Sequence, residues 1–159
     1  MKKITKGVKV SIPKDMAFRK FLNDINEWWP KEYTWSQDAL EQISIDGKKD
    51  GLCTEIGPHR FRCDWGRVTE LVENEQIGLK WQISPTREPI PNPEYASDIR
   101  IKFNNDGDYL TSVKFEHYNF ENHGIGAEDY QEMMDSHQGW EFILDCYKKY
   151  CEKRVNKRL

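Results

Sequence analysis

The chain has 159 residues, 37% of them hydrophobic and 32% charged, with a net charge of −3. That size and balance describe one folded domain, residues 1–159, rather than a disordered chain. The slight acidity gives no reason to expect a nucleic-acid partner. No apolar run approaches the ~18 residues of a membrane span, and the lysine-rich start has no hydrophobic stretch behind it. A cytoplasmic protein without membrane insertion is expected.

Val8, Val10 and Ile12 alternate with Lys9 and Ser11, the pattern of a half-buried first strand. Pro13 ends that strand and pre-sets a helical turn, with Asp15 at the end the helix dipole favours. Phe18, Phe21, Leu22 and Ile25 then recur at helical spacing as far as Trp28-Trp29-Pro30, where the residue before proline is steered out of the helix. The two tryptophans would staple this helix to a sheet. Residues 31–40 are too polar to assign beyond a loop or short helix.

From Glu41 the period becomes two. Ile43 and Ile45 lead to a turn at Asp46–Gly51, followed by strands at Leu52–Ile56 and Trp65–Leu71. Ile77, Leu79, Trp81 and Ile83 alternate next. Ile99, Ile101 and Phe103 then alternate with Asp98, Arg100 and Lys102, a hairpin turn follows at Asn104–Asp108, and Val113, Phe115 and His117 face one way against Lys114, Glu116 and Tyr118. Pro85, Pro89, Pro91 and Pro93 cannot join a ladder, so they predict a loop laid over something.

The last stretch predicts one long amphipathic helix, Ala127 to Val155. At 100° per residue Met133, His137, Trp140, Leu144, Tyr147, Cys151 and Val155 share a stripe. At ~1.5 Å per residue, roughly 27 residues would span about 40 Å, so the helix must lie across something broad. Strands joined by short turns are antiparallel. The expected class is therefore α+β: a curved antiparallel sheet of about six or seven strands wrapped around a long C-terminal helix. One or two short helices follow the first strand, and a pocket lies between helix and concave face.

Cys53, Cys63, Cys146 and Cys151 form no C-x-x-C pair. The last two, five apart on a helix, point roughly 140° from each other, which suits neither zinc nor a disulfide. Free thiols, with no metal or cofactor, are expected.

Phe21 with Trp28-Trp29-Pro30, Trp65-Gly66-Arg67-Val68, Leu79-Lys80-Trp81, Ser97, Phe115-Glu116-His117 and Gly139-Trp140 occur in that order over nearly the whole chain. In this the chain resembles the activator-of-heat-shock-protein-90-ATPase homologue family, within the START-like, helix-grip superfamily. It departs from that pattern at Pro58-His59-Arg60-Phe61-Arg62-Cys63 and in its lysine-rich turn at Gly47–Gly51. The resemblance implies a helix-grip fold with a cavity beneath the C-terminal helix, and a chaperone as a possible partner. Such folds serve many functions.

His117 shares a strand face with Val113 and Phe115. It either fixes a ligand's polar end or moves a proton, or it is a core histidine satisfied by a carbonyl or carboxylate. The same two readings hold for His137. Alternation puts Arg67 on the face of Trp65, either binding an anionic ligand group or stacked on Trp65 and paired with Glu55. The expected ligand-binding set is Trp65, Arg67, Trp81, Phe115, His117, Met133, His137, Trp140, Leu144 and Tyr147. Flat aromatic walls suit planar or lipid-like molecules.

No glycine-rich phosphate loop, H-E-x-x-H or G-x-S-x-G is present, and nothing identifies a nucleophile. The leading expectation is a monomer that binds a small hydrophobic molecule without catalysis. The alternatives are a chaperone ATPase-activating or stress-response module, and a cyclase- or hydrolase-like enzyme using His117 with Arg67.

Overall fold

Seven runs of alternating residues pair into one antiparallel sheet in the computed structural model, which describes residues 2–157, with side chains through residue 153. The strands are β1 (Ile4–Val10), β2 (Gln42–Ile45), β3 (Leu52–Ile56), β4 (Arg62–Val72), β5 (Gln76–Trp81), β6 (Ser97–Gly107) and β7 (Leu110–Tyr118). Their order is β1-β7-β6-β5-β4-β3-β2, so only the first strand leaves its sequence neighbour and crosses to the far edge. The helices are α1 (Lys14–Asn23), α2 (Ile25–Trp28), α3 (Ala127–Met134) and α4 (Trp140–Lys157). This is the expected α+β helix-grip arrangement, and none of its helices is long and apolar enough to cross a membrane, among the described residues.

One sheet face carries Ile43, Cys53, Leu79, Ile101, Phe103 and Phe115, all buried. Against it pack α1 and α4. Phe18 and Phe21 meet Phe103 edge-on, with centroids 5.5 and 6.1 Å away. Phe21 meets Tyr147 of α4 at 5.1 Å, and the Tyr147 hydroxyl donates to Ala17 O at 2.6 Å. Leu144, Tyr147 and Cys151 thus form the expected stripe, but its sheet-side partners include α1. The side chain of Val155 lies outside the described residues. All four cysteines are free thiols.

The single long helix is corrected to two. Between α3 and α4 the Ser136 hydroxyl donates to Met133 O at 2.6 Å, and Gly139 N donates to Ser136 O at 3.0 Å. These bonds take carbonyls that a continuing helix would need. A Cβ on Gly139 would collide with the Met134 carbonyl, so only glycine fits this turn. The rotation rule fails across the break. Met133 ends up 45% exposed, and the His137 side chain 91% exposed, paired with Glu141 at 2.9 Å.

A β-bulge produces the second correction. Cys53 pairs with Gly66 and Thr54 with Asp64, leaving Trp65 as an extra residue in β4. Trp65 and Val68 are therefore both buried on the core side, and Arg67, paired with Leu52 and Lys80, is turned to the outer face. Simple alternation could not anticipate that flip.

Gly139→Ala should lower stability by about 1–3 kcal/mol, because its methyl has no room beside the Met134 carbonyl. Urea unfolding followed by tryptophan emission measures this, and an unchanged midpoint would show that the turn adjusts freely.

Candidate functional site

Trp140, the first residue of α4, seats its ring against three walls at once. Its centroid lies 4.4 Å from Phe115, 5.3 Å from Trp81 and 5.9 Å from Trp29. The void left beneath α4 among these rings is about 10 Å³, room for no more than a single water. The cavity expected under the C-terminal helix is thus filled by side chains. The space lies beside it, at the end of the sheet where α4 begins.

There, two lobes of about 240 Å³ each open side by side, with Trp29, Tyr33, Trp81, Ile83 and Arg87 common to both. Trp65, Trp35, Ile43 and Glu55 complete the first lobe. Tyr130, Met133, Met134 and Ile143 complete the second. Trp29 and Trp65 are stacked, with centroids 6.0 Å apart and planes inclined by 26°. The Tyr130 hydroxyl accepts from Trp81 Nε1 at 2.7 Å and donates to Ile83 O at 2.8 Å, which fixes the wall they share. Burial pushes that phenol up to about 12. Trp65 Nε1 is buried without a nitrogen or oxygen partner.

Two hydrogen bonds strap the mouth. Trp35 Nε1 donates to Arg87 O at 2.8 Å, tying the loop before β2 to the proline-rich loop. The Tyr33 hydroxyl donates to Gln138 O at 2.6 Å, tying the same loop to the α3–α4 turn. The proline-rich loop is the overlying flap its sequence implied, joined to itself through an Ile83–Pro89 bridge.

Of the sequence-predicted residues, Trp65, Trp81 and Met133 border this groove. Phe115 and Trp140 border only the small void. Leu144 and Tyr147 are buried in the core. Arg67 is on the outer face and His137 on the surface, so neither converges with His117. Sequence reasoning missed Trp29, Tyr33, Trp35, Glu55, Ile83 and Arg87. The only signal was the concentration of aromatic residues between Trp28 and Trp35, inside a stretch whose period said nothing.

His117 is fully buried, and its partners differ from either expected type. Trp140 Nε1 can only donate, so His117 Nδ1 accepts it at 2.9 Å. The ring proton then sits on Nε2 and goes to Ser97 Oγ at 2.6 Å, and the Ser97 hydroxyl donates to His123 Nε2 at 2.7 Å. The chain ends at His123 Nδ1, which is buried without a partner. Burial, and next the neighbouring His123, hold His117 well below the usual imidazole range. Burial, with Lys80 second, holds His123 at about 4. Both rings are neutral at pH 7, and Ser97 is too deeply enclosed to meet a substrate.

A family model described as "Activator of Hsp90 ATPase homolog 1-like protein" matches residues 25–152. No match is found among the curated proteins. Among solved structures, the chain is similar to an anthrahydroquino-γ-pyrone synthase determined in a complex, with 21% identity, 94% and 96% of the two chains covered and a TM-score of 0.67. It is similar to CalC, a self-sacrificing resistance protein from Micromonospora echinospora, with 20% identity, 96% and 95% covered and a TM-score of 0.67. The Aha1 dimer from Colwellia psychrerythraea shares 15% identity over 96% and 97%, with a TM-score of 0.63. At these identities the likeness is one of fold.

Because both histidines have lowered folded-state values, the unfolded chain takes up protons first as pH falls below about 6.5. Their stability contribution is complete above that pH and is lost on the way down toward about 4, where His123 also protonates in the folded state. The urea midpoint should therefore drop between pH 7 and pH 5, and His123→Asn should drop less steeply. Parallel slopes would separate His123 from the effect.

Proposed function

The chain belongs to the family of Activator of Hsp90 ATPase homolog 1-like proteins, and from that premise we propose that it binds a small planar apolar molecule in the two-lobed groove. The observation that carries this reading is the open space walled by Trp29, Trp65 and Trp81 beside a filled interior. The three indoles are buried, yet they border open volume behind a mouth strapped by Tyr33 and Trp35. Stacking on such faces adds about 0.5–1.5 kcal/mol per pair beyond burial.

Each lobe is smaller than the roughly 300–1,000 Å³ of a drug-sized site, so one lobe admits a one- or two-ring molecule. A longer one must reach across Tyr33. Binding without conversion is the reading the residues favour, since Ser97 and His117 are enclosed and engaged with each other. The similarly folded synthase solved in a complex supports ligand binding in this fold. Family membership also supports a second reading, an accessory to a chaperone ATPase. A chaperone ATPase rate that is unchanged on adding the protein would remove it.

Titration with a set of flavonoids, naphthols and fatty acids, followed by tryptophan emission, should find planar compounds that quench at micromolar to millimolar concentration. Trp29→Ala, which removes the wall common to both lobes, should weaken them about tenfold or more. Indifference of the emission to every compound would dispose of this function.

A further inference from the structure

Among the residues that line the first lobe is a carboxylate with no ion-pair partner among the described residues. Glu55 lies on β3 opposite Ile43, lines the lobe and is 1% exposed. Its Oε1 accepts from Trp35 N at 3.1 Å, and its Oε2 accepts from Ser36 N at 2.8 Å and Ser36 Oγ at 2.7 Å. All three donors are neutral. The ion pairs among the described residues do not include Glu55. Buried carboxylates are ordinarily matched by a cation, because hydrogen bonds to neutral groups offset only part of the lost hydration. Oε1, with one donor, has capacity to spare.

The walls around this carboxylate fit the same kind of guest. Five aromatic rings, Trp29, Tyr33, Trp35, Trp65 and Trp81, line the lobe. The faces of such rings are negative and attract ammonium groups, most strongly where water is scarce. Two further charges border the lobe, Glu32 and Arg87, of opposite sign. Both residues are exposed at the rim, where solvent and salt weaken them. The charge that an entering molecule meets out of water is that of Glu55.

We propose that the first lobe selects the cationic amine end of a planar ligand, with Glu55 as counter-charge and the five rings as a cage. This rests on the reading of the groove as a site for small planar molecules, and it adds the sign of charge that site prefers. The competing role for Glu55 is to hold the loop at Trp35 and Ser36, which makes no distinction between charged and neutral guests.

The test pairs phenyltrimethylammonium with its neutral isostere tert-butylbenzene, following tryptophan emission and the indole N–H resonances. The native protein should bind the cation about tenfold more tightly. Glu55→Gln should abolish that preference and keep the affinity for the isostere. Ser36→Ala removes a loop donor and leaves the carboxylate, so it should keep the preference; it also decides the matter if Glu55→Gln loosens the loop. Equal or tighter binding of the isostere by the native protein overturns the amine proposal and leaves the planar-ligand reading standing. A preference that survives Glu55→Gln, or that Ser36→Ala abolishes, also overturns it. Binding of neither probe overturns the amine proposal, and the planar-ligand reading is then decided by the titration with flavonoids, naphthols and fatty acids.

Discussion

The indole of Trp140 decides where this molecule has room. It stands at the first turn of α4, packs at a tilt against Phe115, and sends its N–H to His117 on the sheet. Those contacts fix the start of the helix over β7 and occupy the volume that a curved sheet would otherwise leave beneath it. Space is displaced toward Trp29 and Trp81, where the loops rather than the helix close it. Burying an aromatic residue of this size is among the largest single contributions a side chain makes to a core. The hydrogen bond adds direction, because a neutral His117 is the acceptor that the indole needs.

The polar chain from Trp140 to His123 extends that anchoring across three elements: helix, sheet, and the turn Phe120–His123 that precedes α3. A buried network of this kind is strong when satisfied and costly where it is not. Its one unsatisfied atom, His123 Nδ1, lies at the end farthest from the helix, in the half-buried turn. The Ser97 hydroxyl receives from one histidine and gives to the other, so the orientation of every proton in the chain follows from the indole.

Much of the architecture was legible because burial on one sheet face imposes a strict period of two. Leu52–Ile56 occurs with the bounds its pattern implied, and the inward residues on β7, Val113, Phe115 and His117, are buried, as are Thr111 and, on the other face, Glu116. What escaped notice were places where local geometry breaks a period. The bulge at Trp65 inverts Arg67, and no apolar pattern records an added residue. The break before α4 left a trace in Ser136 and Gly139, but Met133 and His137 keep the helical spacing of Trp140 and Leu144 in the sequence although neither is buried, which disguised it. The loop Tyr33–Gln37 was opaque for another reason. Its shape comes from Glu55, a residue some twenty positions away, through bonds that have no signature in the loop's own composition.

The partition between the two lobes is thin. Trp29 and Tyr33 line both of them, and the Tyr33 ring is held by its phenol bond to the Gln138 carbonyl and by an edge-on contact with Phe142 of α4 at 5.4 Å. Any rotation of that ring must give up both contacts at once, so the width of the groove is set by the interhelical turn and by the helix that follows it.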